Sequence, residues 1–216
     1  MQRFYAAHPI NTYGTPLERE YLEYLCTTFP DTLIVDPNSE SVTRAVDQIK
    51  EQDSRDPLTG QFSEGLYNSV GAKVVIEYFV ALVEGVDGGA GLALPTTSAS
   101  STVTYMLPAG IAKELRTIDK LGHPTWVVTC SMERGMLCFN NFAITHVCVN
   151  EARTTSISQA LKGGEREEMF DFVMDDGRSF GQLSIQETRE RIYTKCTDGS
   201  WDRKKLQHYV LTSDRA

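Results

Sequence analysis

The chain has 216 residues, of which 41% are apolar and 23% are charged, with 16 glycines and 8 prolines. These fractions are typical of a globular chain of one domain, with or without an appendage, and they exclude collagen-like, coiled-coil and wholly disordered structures. No apolar run reaches the ~18 residues of a membrane span, and the N-terminus lacks the layout of a signal peptide. We therefore expect a cytoplasmic protein without a membrane partner.

The net charge is −8, from 21 lysines and arginines against 29 aspartates and glutamates. Binding that neutralises many backbone phosphates needs the opposite sign, so we expect no duplex nucleic acid as a partner. A single small phosphorylated ligand needs only a few local donors and stays open. The 5 cysteines and 4 histidines are scattered and no CxxC pair occurs. We therefore expect no disulfide framework, no metal and no cofactor.

The first 130 residues alternate predicted strands and helices. In chain order they are a strand over 2–7, a helix over 16–28, a strand over 32–35, a helix around 42–49, a helix over 66–84, a strand over 90–95, a helix over 108–121 and a strand over 125–129. Thr15, Pro16 and Glu18 mark the first helix start as N-cap, first helical residue and closing residue of a capping box. Residues 96–107, rich in serine and threonine, predict a long loop.

This alternation predicts an α/β fold with a doubly wound, mostly parallel sheet, which is Rossmann-like. In such sheets the ligand binds at the carboxyl ends of the strands. The loops 8–15, 36–41 and 95–110 follow those ends, so we expect the functional site there.

After residue 131 the pattern weakens. A strand over 143–149, a hairpin around Asp175-Asp176-Gly177, a helix from Ser184 and a last helix over 203–210 are predicted. We therefore divide the chain into an α/β core over 1–130 and a C-terminal α+β elaboration over 131–216, whose role the sequence does not assign.

The loop after the first strand is the first candidate site. It carries His8, Asn11, Thr12, Tyr13 and Gly14, and with Tyr5 just before it the loop has more hydrogen-bonding side chains than a connection needs. The N-terminus of the next helix also presents free backbone N–H groups to a ligand. The alternative is an ordinary connection in which Asn11 and Gly14 satisfy turn geometry. The dinucleotide fingerprint GxGxxG is absent.

The start of the helix over 108–121 is the second candidate site. Gly110 would let a ligand approach the backbone, and Glu114, four residues on, lies on the same helical face. The alternative for Glu114 is an exposed helical glutamate. Asp87, next to three glycines, is either a turn residue or a carboxylate that faces the site from the entry of the buried strand.

Together these segments resemble the nucleoside 2-deoxyribosyltransferase superfamily, which includes the deoxynucleoside-monophosphate N-glycosidases. Members begin with a strand that carries a tyrosine and a substrate loop, here Phe4-Tyr5-Ala6-Ala7-His8-Pro9. A later Gly-x-x-x-Glu segment opens a helix, here Gly110 to Glu114, and the helix ends before a Gly-Lys-Pro-like segment, here Gly122-His123-Pro124. Asp87 falls near an aspartate that the family keeps ahead of its central strand. The resemblance covers roughly residues 2–130.

The resemblance implies cleavage of an N-glycosidic bond, or deoxyribosyl transfer, on a nucleoside or nucleotide. Glu114 would be the carboxylate nucleophile at the anomeric carbon, and Tyr5 would hold that carboxylate in line. A fixed anion below the sugar stabilises the oxocarbenium-like transition state or forms a covalent intermediate. Relatives complete their sites across subunits, so a homo-oligomer is implied as well.

The chain departs from the family just before the glycine. The transferases have an aspartate there and the monophosphate hydrolases a serine, whereas this chain has Pro108-Ala109. Other polar side chains are candidates to replace them, namely His8, Asn11, Ser98, Ser100, Ser101 and Thr102. The departure leaves a second hypothesis, a non-catalytic protein that binds a nucleotide or an ADP-ribose-like ligand in the same pocket. A third is a scaffold whose last third carries a protein interface.

Overall fold

The computed structural model describes residues 1–9, 12–53, 72–97, 103–134, 136–154 and 168–184. The strands are β1 Gln2–Ala7, β2 Thr32–Val35, β3 Gly88–Thr97, β4 Val103–Leu107, β5 Thr125–Glu133, β6 Met136–Val149, β7 Phe170–Met174 and β8 Ser179–Gln182. The main helices are α1 Pro16–Thr28, α2 Glu40–Asp53, α3 Ala72–Glu84 and α4 Ala109–Lys120.

Four of the strands form a parallel sheet in the order β2-β1-β3-β5. The other pairings are mostly antiparallel: β5 with β6, β6 with β7, β7 with β8 and β3 with β4, while β4 and β8 are parallel. The strands β3, β5, β6, β7, β8 and β4 thus pair in a closed ring, from which β1 and β2 extend. The α/β class is confirmed, with a mixed sheet.

Helix α1 begins where the sequence predicts. The Thr15 hydroxyl accepts a hydrogen bond from the Glu18 backbone N–H at 3.3 Å, and Pro16 is the first helical residue. The Glu18 carboxylate accepts from the Gly14 backbone N–H, one residue before the N-cap. These two hydrogen bonds satisfy the backbone N–H groups of Gly14 and Glu18, and they fix the start of α1 relative to the end of β1.

Helix α4 packs directly on β3 because that strand is built from small residues. A Cβ atom at Gly89 would lie 2.6 Å from Ile118 Cδ1, and one at Gly91 would lie 2.6 Å from Leu115 Cδ1. Only glycine leaves room for these side chains, so the two positions set how closely α4 approaches the sheet.

The predicted long loop over 96–107 is wrong for residues 96–97 and 103–107, while residues 98–102 lie outside the described residues. Strand β3 continues to Thr97, and β4 pairs with it antiparallel, with Thr96 opposite Thr104. Threonine is β-branched and favours strands, so a hydroxyl-rich composition did not exclude one. The predicted strand over 143–149 is also too short, since β6 begins at Met136 and pairs first with β5 and then with β7.

The predicted Asp-Gly hairpin is confirmed by β7 and β8, with Gly177 at φ +79° between them. Residues 66–71 of the third predicted helix, the helix after Ser184 and the helix over 203–210 lie outside the described residues. None of the helices in the described ranges has both the length and the apolar composition needed to cross a bilayer.

Candidate functional site

Tyr5 and Glu114 lie side by side, although 109 positions separate them in the sequence. Tyr5 is on β1 and has no exposed surface, and Glu114 is in the second turn of α4. The Tyr5 phenol acts on the Glu114 carboxyl as a hydrogen-bond donor that lowers its pKa. The contact is looser than a standard hydrogen bond, because the buried Tyr5 hydroxyl has no partner at full hydrogen-bond geometry in the described structure. The fully buried Tyr5 phenol thus faces the Glu114 carboxyl, and the Tyr5 hydroxyl proton is not used in a regular hydrogen bond.

The Glu114 carboxyl carries a perturbed pKa. Burial raises the pKa to about 8, and the Tyr5 phenol offsets only part of that effect. Glu114 as a whole keeps some exposed surface, whereas Tyr5 has none. A desolvated carboxyl beside a specific partner is a marker of functional sites as well as of structural ones.

One further tyrosine, Tyr13, and one further carboxylate, Asp36, lie near this pair. Burial raises the pKa of Tyr5, and the negative charges of Glu114 and Asp36 raise it further. The pKa of Tyr13 is raised in the same way, first by burial and then by Glu114, Asp36 and Glu18. Asp36 directly follows β2 and Tyr13 lies in the loop after β1, so the group gathers at the carboxyl ends of two parallel strands.

His8 is the centre of a second group at the same edge. Its Nδ1 lies 3.0 Å from the Thr12 hydroxyl, and its Nε2 lies 3.1 Å from Asp36 Oδ1 and 3.7 Å from Glu18 Oε1. The Asn38 backbone N–H donates to Asp36 and its side-chain amide donates to Glu18, at 2.8 and 2.7 Å. The His8 side chain is fully buried, so this network joins β1, α1 and the loop after β2.

The other predicted site residues have different positions. Gly14 adopts φ +68° in the turn before α1, a conformation that favours glycine. Gly110 is exposed, and a Cβ there would meet nothing within 4 Å, so the protein itself does not require glycine at this position. Asp87 lies at the amino end of β3, where its carboxylate accepts from the Arg3 N–H at 2.7 Å, away from Tyr5 and Glu114. Asn11 lies outside the described residues.

Sequence reasoning did not propose Asp36 or Glu18 as site residues, whereas Tyr13 belongs to the loop that the sequence predicts as a candidate ligand site. Asp36 directly follows β2, and it lies in the loop 36–41, which the sequence predicts at the carboxyl end of a strand. Glu18 was interpreted through its capping role alone, and its second carboxylate oxygen faces His8. That contact depends on how α1 packs against β1, which local sequence does not specify.

The comparisons with known proteins give no match: no protein-family model fits the chain, and no curated protein is significantly similar to it.

Proposed function

We propose that the protein cleaves an N-glycosidic bond, or transfers a deoxyribosyl group, on a nucleoside or nucleotide through Glu114. The proximity of Glu114 to the unpartnered, buried Tyr5 phenol carries this proposal. A carboxyl and a hydrogen-bond donor held side by side are what stabilisation or trapping of a sugar cation requires.

The proposed reaction uses the ionised carboxylate. A Glu114 oxygen attacks the anomeric carbon as the bond to the base breaks, and the bonding electrons leave with the base, which takes a proton from solvent or a nearby acid. The resulting glycosyl ester is then cleaved by water, or by the nitrogen of a second base in a transfer reaction. Tyr5 donates to the second carboxylate oxygen and holds the nucleophile in line.

Two further parts of the proposal concern the fold of the core and the assembly and location of the protein. The parallel order β2-β1-β3-β5 supports a doubly wound, Rossmann-like core with a ligand site at its carboxyl edge. By the resemblance described above, the proposed enzyme is also a homo-oligomer, and the composition described above supports a place in the cytoplasm.

Glu114→Gln tests the nucleophile, because glutamine preserves the shape of the side chain and removes the anion. The protein is incubated with deoxynucleosides, ribonucleosides and their 5′-monophosphates, and free base is quantified by chromatography. We expect Glu114→Gln to lower base release by roughly a thousandfold or more. The exposed Glu84→Gln at the end of α3 is the matched control and keeps full activity. Undiminished release by Glu114→Gln would exclude Glu114 as the nucleophile.

A non-catalytic ligand site is the second candidate function. With a pKa of about 8, Glu114 is mostly neutral at pH 7 and can donate a hydrogen bond to a bound ligand. The segment Pro108-Ala109 also lacks the polar side chain that the family has there. A rise in melting temperature with nucleotides or ADP-ribose, without release of base from any substrate, would decide for this function.

A further inference from the structure

The buried His8 ring has one nitrogen whose hydrogen-bonding role is fixed by its neighbours. The Thr12 hydroxyl donates its only proton to the Pro9 carbonyl at 2.6 Å. Toward His8 Nδ1, 3.0 Å away, that oxygen can therefore only accept, so Nδ1 carries the ring proton. In the neutral ring, Nε2 then has a lone pair and no proton.

That lone pair points at two other acceptors. Nε2 lies 3.1 Å from Asp36 Oδ1 and 3.7 Å from Glu18 Oε1, and the side chains of His8 and Glu18 are almost fully buried. A neutral imidazole and two carboxylates would repel one another here, and burial makes uncompensated negative charge costly. A positive charge between them would remove this repulsion.

The three donor atoms lie close together, and the two oxygens lie at distances from Nε2 that suit ligands of one metal ion. All three atoms lie within 4.8 Å of one another. Around a tetrahedral zinc ion with bonds of about 2.1 Å, two ligand atoms lie about 3.4 Å apart, and the two distances from Nε2 lie on either side of that value. Metal-bound histidines also donate their other N–H to a neighbouring oxygen, as His8 does to Thr12.

We propose that His8, Glu18 and Asp36 bind a divalent cation of borderline softness, of which Zn²⁺ is the representative. One nitrogen and two carboxylate oxygens suit such ions better than Mg²⁺, which prefers oxygen ligands alone. A dication cancels the two carboxylate charges, and three protein ligands leave a position for water or another ligand. The proposal does not rest on the function proposed above for Tyr5 and Glu114, although Asp36 lies near that pair as well.

Binding to the whole chain tests the site. The protein is treated with a chelator and dialysed, and ZnCl₂ is added in a calorimeter and in a thermal melt. We expect one equivalent to bind and the melting temperature to rise by about 5 °C or more at a hundredfold excess over Kd. MgCl₂ should give no such rise. No rise with Zn²⁺, or an equal rise with Mg²⁺, would overturn the proposal.

Variants separate this site from chance binding elsewhere. His8→Gln and Asp36→Asn should each weaken Zn²⁺ binding at least tenfold, whereas His146→Gln, at an exposed histidine on β6, should bind as tightly as the unmodified chain. If far-UV circular dichroism shows that His8→Gln does not fold, Asp36→Asn decides, since Asp36 is partly exposed and asparagine still accepts from Asn38. Unchanged binding by Asp36→Asn would overturn the proposed site. Loss of binding in His146→Gln would assign the metal to the surface.

Discussion

Glu114 is held between two opposing influences. Desolvation favours its neutral form, and the Tyr5 phenol favours its anion, with desolvation the larger effect. The proposed reaction needs the anion, so in the free protein only a minority of molecules is ready to react at pH 7. A substrate that brings a developing positive charge next to the carboxyl would shift that balance toward the anion.

This balance predicts the pH dependence of the proposed activity. The kcat/KM for base release should rise with pH as Glu114 loses its proton, with a half-maximum near pH 8. Tyr5→Phe removes the donor that favours the anion, so its half-maximum should move to higher pH and its rate at pH 7 should fall. The measurement is kcat/KM between pH 5.5 and 9.5 for both proteins.

A merely structural role for Tyr5 would lower the rate equally at every pH. An unchanged half-maximum in Tyr5→Phe would therefore contradict a direct interaction between the phenol and the carboxyl.

The same residue predicts how stability depends on pH. The pKa of Glu114 is about 8 in the folded chain and 4.5 is its ordinary value, so between these limits the folded state holds a proton that the unfolded state has lost. Stability from this group is therefore complete below pH 4.5 and declines as pH rises toward 8. Glu114→Gln removes the decline, so the variant should match the unmodified protein at pH 5 and exceed it at pH 8 by roughly 1–4 kcal/mol.

Urea unfolding at pH 5, 6.5 and 8 measures this difference. Glu84→Gln serves again as the control, because an exposed glutamate should show the same pH dependence as the unmodified chain. A Glu114→Gln variant that is no more stable at pH 8 would show that the carboxyl is well solvated.

At the scale of elements, the contact between α4 and β3 sets the position of Glu114. An alanine Cβ at Gly91 would lie 2.6 Å from Leu115 Cδ1 and 2.8 Å from Ile111 Cγ2, so the helix must shift to accept it. We expect Gly91→Ala to destabilise the fold by about 1–3 kcal/mol. It should also lower base release by more than the loss of folded protein explains, because Glu114 moves away from Tyr5. Denaturant unfolding and the base-release assay check the two effects.

Gly110→Ala separates packing from ligand approach in the same helix. A Cβ there meets open space, so the substitution should preserve stability or raise it by up to about 1 kcal/mol. If a ligand passes close to Gly110, base release should nevertheless fall. Full activity in Gly110→Ala would show that the ligand does not approach this backbone.

Local chemistry determined which elements the sequence could predict. The start of α1 follows from Thr15 and Pro16, and the β7–β8 turn from Asp-Gly, because each depends on neighbouring residues. The extent of β3 and β6 depends instead on partners far along the chain. The pairing of Tyr5 with Glu114 could be predicted from the family resemblance. The contact of His8 with Asp36 and Glu18 could not be predicted, because it depends on how three elements pack.

At the scale of the whole molecule, two strands join the parallel and antiparallel parts of the sheet. Strand β3 pairs with β1 and β5 in its first part and with β4 in its second, and β6 passes in the same way from β5 to β7. Residues before and after position 131 therefore contribute to one hydrogen-bonded system. The packing of Phe170, Phe172 and Met174 from β7 in the same core as Tyr5 and Leu115 extends this continuity to the side chains.

The closed ring leaves β2, among the described strands, as the strand with a single partner. A strand with an unpaired side is where a foreign chain can add its own strand and start an aggregate. Here that side is only four residues long and is followed directly by Asp36-Pro37, and proline cannot donate to a further ladder. Within the described part of the sheet, the risk that molecules associate edge to edge is thus confined to one short strand edge that a proline interrupts.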